Sequence, residues 1–120
     1  MALTAFTAFG TTRSVDLDLG NSVVSVLGAS GTFFVVEVDN TANDEDVYLK
    51  VWDQTSVTLG TTVPNWVFRV PAGKKKAFLP SGLGNGVALS TGLAVAVVTA
   101  GGTGGTTAPV NDVSAKFITS

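Results

Sequence analysis

Residues 47–53 of the chain read Val-Tyr-Leu-Lys-Val-Trp-Asp, and this stretch decides the fold. Aliphatic residues occupy every second position from Val47 to Val51, and a period of two places them on one face of a β-strand. We expect that face to pack into the core. The larger side chains of Tyr48 and Trp52 then point outward or lie beneath a second layer of chain.

Segments of similar length recur along the sequence, separated by Gly, Pro or polar turns. Val, Thr, Phe and Gly dominate, whereas helix-forming Glu and Lys are scarce. In one segment Val15, Leu17 and Leu19 alternate with aspartates, so we expect the apolar side chains to face the core and the carboxylates to face water. The segments that we predict as strands are residues 15–19, 21–27, 32–40, 47–53, 66–70, 74–79, 86–90, 93–99 and 112–118.

Strands at short, regular spacing in 120 residues indicate a single all-β domain. We predict an antiparallel β-sandwich, Greek-key or jelly-roll-like, with about eight or nine strands. Residues 54–65 contain Gly60 and Pro64, and this segment is too long for a plain hairpin loop. We therefore expect an extended crossing connection there.

Two segments leave alternatives open. Residues 100–108 form a Gly-rich loop, which is either a flexible connection between the last two strands or a surface arm ordered only by a partner. Residues 1–13 are either an N-terminal arm or the first strand of the domain, which otherwise spans residues 14–120. As an arm, this segment would insert Phe6 and Phe9 into a partner's groove or add a strand to its sheet.

The composition favours a binding surface over a catalytic one. Charged residues make up 13% of the chain, about half the usual share of a globular domain. Such a surface is easily desolvated, so we expect neighbouring proteins to cover part of it; the alternative is a Thr-rich β domain that merely carries few charges. The net charge is −2, which gives no electrostatic reason to expect a nucleic-acid or membrane partner.

The chain has neither histidine nor cysteine, the residues that most often form acyl-transfer triads and zinc sites. Residues 43–46, Asn-Asp-Glu-Asp, offer oxygen ligands of the kind that calcium prefers, but their spacing does not match an EF-hand loop. We interpret them as a solvated loop. We predict no enzymatic activity, no catalytic residue, no metal site and no cofactor.

The remaining candidates are aromatic and lysine side chains. Two large rings on the outward face of residues 47–53 either pack beneath residues 54–65, anchor an interface or stack on a sugar. Residues 74–76 are three lysines, which protect an edge strand from unwanted pairing or meet an acidic neighbouring subunit. The candidate interface residues are Phe6, Phe9, Tyr48, Trp52, Trp66, Lys74, Lys75 and Lys76.

Three further stretches, taken with residues 47–53, carry a resemblance. They are Thr58-Leu59-Gly60-Thr61-Thr62-Val63-Pro64, Val67-Phe68-Arg69-Val70-Pro71-Ala72-Gly73, and Leu83 with Ser90-Thr91-Gly92-Leu93-Ala94-Val95-Ala96. Together they resemble small β-sandwich structural proteins of tailed-bacteriophage virions, of the capsid decoration (cement) type. The resemblance covers residues 35–99, and its motifs are specific as a set rather than one by one.

The resemblance implies a location on the capsid exterior after synthesis in the host cytoplasm. It also implies homo-oligomers, often trimers, and contacts with the major capsid protein or other virion proteins across capsomer junctions. No catalytic residue belongs to such a family. The alternatives are another virion component, from the tail, neck or baseplate, and a carbohydrate-binding module.

Overall fold

The structure, a computed structural model, describes residues 12–81 and 85–120. These residues form nine β-strands and no helix. Each strand overlaps one of the nine segments that the sequence predicts. The strands are β1 (Thr12–Leu19), β2 (Val24–Leu27), β3 (Gly31–Asp39), β4 (Val47–Trp52), β5 (Trp66–Val70), β6 (Lys75–Phe78), β7 (Val87–Leu89), β8 (Leu93–Val98) and β9 (Val113–Thr119).

The strands form two antiparallel sheets that pack face to face. Sheet A has the order β1-β9-β3-β6, and β7 also pairs with β3, whereas sheet B has the order β2-β8-β4-β5. The prediction of an all-β antiparallel sandwich is confirmed. The chain changes sheet at every connection except β4–β5 and β6–β7.

The core lies between the inner faces of the two sheets. Val47, Leu49 and Val51 face it from β4, as the alternation predicts, and each is fully buried. Val113, Ala115 and Phe117 face it from β9. Burial of each large aliphatic or aromatic side chain contributes about 1.5–3 kcal/mol relative to exposure.

Residues 54–65 correct one expectation. β4 and β5 are hydrogen-bonded neighbours in sheet B, so the segment is a long hairpin connection and does not cross between sheets. Its extra length folds over the outer face of sheet B. There Val57 and Leu59 pack against Trp52, Ala94 and Ala96 in a second apolar cluster.

The first strand corrects another expectation. Val15 and Leu17 are 47% and 67% exposed, although the alternation predicts both in the core. Pairing with β9 places Ser14 opposite Phe117 and therefore on the inner face, which turns Val15 outward. The register shifts between Asp16 and Leu19, and only Leu19 returns to the core.

Candidate functional site

The outer face of sheet A is open to solvent. The outward side chains of its central strands, β3 and β9, are exposed or half-buried, whereas those of β4 and β8 in sheet B are mostly buried. The registers define this open face, and its described side chains are Arg13, Val15, Leu17, Val35, Glu37, Asp39, Lys75, Ala77, Ser114, Lys116 and Ile118.

Charges occupy the centre of the open face. The Glu37 carboxylate lies 3.4 Å from Lys75 Nζ and 3.9 Å from Lys116 Nζ. All three side chains are at least one-third exposed, so these ion pairs add little stability. The hydrogen bonds that Thr41 donates lower the pKa of Asp39, and the nearby Lys75 and Lys116 lower it further although slight burial opposes them.

Apolar side chains lie on both sides of this charged centre. One shallow depression of about 200 Å³ lies between Leu17 and Lys75, and another of about 310 Å³ is lined by Val35 and Ile118. The first depression is also lined by the charged side chains of Glu37, Asp39 and Lys116, and both depressions are open to solvent. The open face therefore combines exposed apolar side chains with paired charges.

The outer face of sheet B differs because two loops of the chain cover it. Trp52 is fully buried beneath residues 54–65, and its indole Nε1 donates a hydrogen bond to the Thr62 carbonyl at 3.0 Å. The Gly-rich loop covers the same face beside it. Lys50, also fully buried, extends from β4 into that loop.

The Lys50 ammonium is bound by backbone carbonyls of the Gly-rich loop. Its Nζ donates to the carbonyl oxygens of Gly102 at 2.5 Å, Thr103 at 3.4 Å and Gly105 at 2.8 Å. Burial lowers the pKa of Lys50. The domain itself therefore holds this loop. The sequence analysis offers a flexible connection or an arm ordered only by a partner, and this arrangement favours neither.

Several predicted interface residues are packed against their own chain. Trp52 is fully buried, in the arrangement beneath residues 54–65 that the sequence analysis offers as one of its alternatives. Trp66 is half-buried against the core, with its ring edge-on to Phe33 at 6.1 Å. Tyr48 is half-buried beside Gly101, where a Cβ atom would lie only 2.9 Å from its Cδ1.

The lysines and the first phenylalanines have different outcomes. Lys75 and Lys76 belong to β6, which is an edge strand of sheet A as predicted, and Lys74 directly precedes it. All three lysines are exposed. Phe6 and Phe9 lie outside the described residues.

The loop at residues 40–46 is tied into the domain. The Glu45 carboxylate accepts a hydrogen bond from the Val110 amide, and the Asp46 carboxylate accepts from Arg69 and from the Ala72 amide. Within residues 12–81 and 85–120, no three acidic side chains converge to hold a metal ion. The interpretation as a merely solvated loop is thus corrected, because most of its polar side chains have protein partners.

A buried amide forms the centre of that loop. Asn40 is fully buried, and its Nδ2 donates to the carbonyls of Glu45 at 2.9 Å, Pro71 at 3.1 Å and Val70 at 3.3 Å. Its Oδ1 accepts from Asn43, which also exchanges two hydrogen bonds with the backbone of Asn111. This network joins three connections of the sandwich at one end.

Sequence reasoning missed the open face because it placed β1 with the opposite orientation. The alternation assigns Val15 and Leu17 to the core, and it places Lys116 and Ile118 on the face opposite Val113 without marking them as functional residues. Asp16 is the residue in the sequence that could have indicated the irregularity of this strand. A carboxylate two positions before Asp18 commonly accepts a hydrogen bond from that backbone amide, as it does here at 2.8 Å, and such a bond accompanies an irregular strand.

Comparison of the chain with models of known protein families, with curated proteins and with solved structures finds no match. Among the residues that the structure describes, no helix has the length and apolar character needed to cross a membrane.

Proposed function

We propose that this chain is a non-enzymatic structural protein of a bacteriophage virion, a capsid decoration (cement) protein that binds the capsid exterior and stabilises capsomer junctions. The major capsid protein is its partner, and the chain acts as a homo-oligomer, with a trimer favoured. The resemblance carried by residues 47–53, 58–64, 67–73 and 90–96 supplies the virion context. No family match supports or opposes it.

The observation that carries the proposal is the contrast between the two outer faces. Sheet B is covered by loops of its own chain, whereas sheet A leaves Val15 and Leu17 exposed beside weakly paired charges. Exposed apolar groups on an open sheet face, with ion pairs between them, suit a protein partner of complementary shape. A capsid surface is such a partner.

A sugar-binding role receives less support. Carbohydrate modules need exposed aromatic ring faces, and Trp52 is fully buried while Trp66 packs against the core. Tyr48 lies against Gly101 and is only half-buried, but a single ring is a weak platform.

The test is binding to expanded capsids from a phage whose particles contain this chain. We expect the purified protein to co-sediment with capsids stripped of it, with saturation at a fixed ratio per capsomer, and to raise their disruption temperature. Analytical ultracentrifugation of the free protein should show an oligomer. A strictly monomeric chain found only on tails, necks or baseplates by immunolabelling would instead support the alternative virion component.

A further inference from the structure

The two edges of sheet A carry opposite charges. One edge is β6, where residues 74–76 are three exposed lysines. The other edge is β1, which carries Asp16 and Asp18. Arg13, the single cation of β1, lies near the other end of that strand, on the open face. A basic edge and an acidic edge therefore lie on opposite sides of the same sheet.

Two of these charges have no counter-charge among the described residues. Within residues 12–81 and 85–120, neither the Asp16 carboxylate nor the Lys76 ammonium forms an ion pair, whereas Lys75 pairs with Glu37 at 3.4 Å. The Asp16 carboxylate accepts a hydrogen bond from the Asp18 amide at 2.8 Å, and that bond leaves its charge uncompensated. Both side chains can therefore meet a partner of opposite charge.

The strand order makes the two edges compatible with each other. The four strands β1, β9, β3 and β6 are each antiparallel to the next. Because four is an even number, a second copy in the same orientation brings its β1 antiparallel to β6 of the first. Asp16 lies opposite Ala115, and Lys76 lies opposite Val38, and both of these partners face the core. Asp16 of one copy and Lys76 of the next would therefore point to the same side of the extended sheet.

The charges also disfavour the symmetric pairings of these edges. A β6 strand against a second β6 would bring two rows of lysines together, and a β1 strand against a second β1 would bring the same carboxylates close to each other. Like charges on adjacent strands are destabilising and prevent unwanted pairing. The head-to-tail contact remains, and contacts of this kind form rings when the rotation between copies closes.

We propose that the β1 edge of one copy of this chain binds the β6 edge of another copy, head to tail, with Asp16 paired to Lys76. In this register Val15 lies opposite Ala77, and Ser14 lies opposite Phe78. The contact is short because β6 has four residues, so the Asp16–Lys76 pair carries much of its specificity. This contact rests on the homo-oligomer proposed above, and it does not depend on a capsid partner.

The test reverses each charge separately and then both together. Asp16→Lys and Lys76→Glu each place like charges at the contact, so the dissociation constant for self-association should rise at least about tenfold in either variant. The double variant Asp16→Lys/Lys76→Glu restores an opposite-charge pair and should associate nearly as the wild type does. Asp44→Lys, in an exposed loop, is the control and should not change association.

Sedimentation velocity measures association in all of these variants. A monomeric wild type, or association that neither single reversal weakens, would overturn the proposal. So would a double variant that keeps its fold, as judged by circular dichroism, and fails to recover association.

Disulfide trapping tests the same contact independently of charge reversal. The chain has no cysteine, so Asp16→Cys/Lys76→Cys contains only the introduced pair. Within one chain, β9 and β3 separate these positions by three strand spacings, about 14 Å, whereas a disulfide joins Cα atoms within about 7 Å. Mild oxidation should therefore link separate copies, and Asp44→Cys/Lys76→Cys should stay unlinked. Unlinked chains in the first variant, or linked dimers of Asp16→Cys alone, would show that the edges do not meet in this way.

Capsid binding separates this contact from the virion role. If the single reversals weaken self-association but the wild type ignores capsids, the contact stands and the proposed function fails. If capsids bind a wild type whose association is insensitive to both reversals, the proposed function stands and the contact is wrong.

Discussion

The Lys50 ammonium donates a hydrogen bond to the Gly105 carbonyl at 2.8 Å, across 55 positions of sequence. Together with the Gly102 carbonyl at 2.5 Å, this contact replaces the water that the buried charge has lost. The backbone of the loop must approach the Nζ atom closely from several directions. A Gly-rich sequence makes that approach possible, so the loop and the lysine depend on each other.

We predict that Lys50→Ala releases the Gly-rich loop and lowers the free energy of unfolding by about 3 kcal/mol, because it removes a buried side chain and the ammonium that donates to the Gly102, Thr103 and Gly105 carbonyls. Hydrogen exchange of the Gly105 amide, which bonds the Gly102 carbonyl, should accelerate. Lys74→Ala, at an exposed position, is the control and should change neither quantity. Unchanged exchange in Lys50→Ala would contradict this account.

The glycines of the loop are not equivalent, and we predict that Gly105→Ala is destabilising whereas Gly102→Ala is tolerated. A Cβ at Gly105 would lie 2.5 Å from the Ala100 carbonyl oxygen, whereas a Cβ at Gly102 would meet nothing within 4 Å. Relief of such a clash costs about 1–3 kcal/mol. Chemical denaturation of the two variants, made in parallel, measures the difference, and equal stabilities would refute it.

The sequence was sufficient to locate the strands. Alternation and Gly or Pro punctuation identified each segment because both are local properties of the chain. The alternation also assigned the inner faces of β4 and β9 correctly. In β4 every core-facing side chain is apolar and no irregularity interrupts its pairing with β5 or β8, and in β9 the inward Val113, Ala115 and Phe117 are apolar.

The contacts of the candidate site could not be predicted from local sequence patterns. The orientation of β1 depends on its pairing with β9, about 100 positions away, and on the irregularity after Asp16. Lys50 looked like an ordinary outward lysine because nothing near it indicates that residues 102–105 cover it. The resemblance motifs gave no hint that Asp53 and Ser90, from two of them, are bonded to each other.

That bond supports the next prediction, for Asp53→Asn. The Asp53 carboxylate accepts hydrogen bonds from the Ser90, Thr91 and Gly92 amides at 2.9–3.2 Å and from the Ser90 hydroxyl at 3.1 Å. An asparagine would turn donor hydrogens toward these donors and lower the free energy of unfolding by about 2 kcal/mol. Asp44→Asn, in an exposed loop position, is the matched control, and equal losses in both would contradict the prediction.

The same contact makes the free energy of unfolding depend on pH in the acid range. Burial raises the pKa of Asp53, but the hydrogen bonds from Ser90, Thr91 and Gly92 outweigh it and lower the pKa below its usual value of 3.8. Between the folded-state pKa and 3.8 the unfolded chain binds more protons, so this stabilisation is complete above 3.8 and disappears as the pH falls. Denaturation followed below pH 4 should show a shallower acid dependence in Asp53→Asn than in the wild type. Superimposable curves would exclude this role.

The buried amide at the end of the sandwich gives a fourth prediction, for Asn40→Asp. In the wild type, the Asn40 amide donates to the carbonyls of Glu45, Val70 and Pro71. The substitution preserves the shape of the side chain but places a carboxylate oxygen against these three carbonyls. An unpaired buried charge costs about 3 kcal/mol or more, so the variant should be strongly destabilised. Asn85→Asp, at an exposed position, should behave as the wild type. Thermal unfolding distinguishes them, and a stable Asn40→Asp protein would show that the network carries little of the stability.

The open face of sheet A gives the last prediction, for Leu17→Glu. Leu17 is 67% exposed, so we expect the isolated domain to keep its melting temperature within about 2 °C. If the face binds a partner, the new carboxylate would be desolvated there as a third acidic group beside Glu37 and Asp39, and binding to capsids should weaken at least about tenfold.

Val63→Glu is the matched control for that substitution. Val63 is 70% exposed and lies on the loop that covers sheet B. Val63→Glu therefore introduces the same carboxylate on the opposite side of the sandwich. We expect its capsid binding to equal that of the wild type, because the proposed contact uses the other face of the sandwich. Co-sedimentation measures both variants under one condition. If Val63→Glu abolishes binding and Leu17→Glu does not, the contact surface lies on sheet B and the assignment to sheet A is wrong.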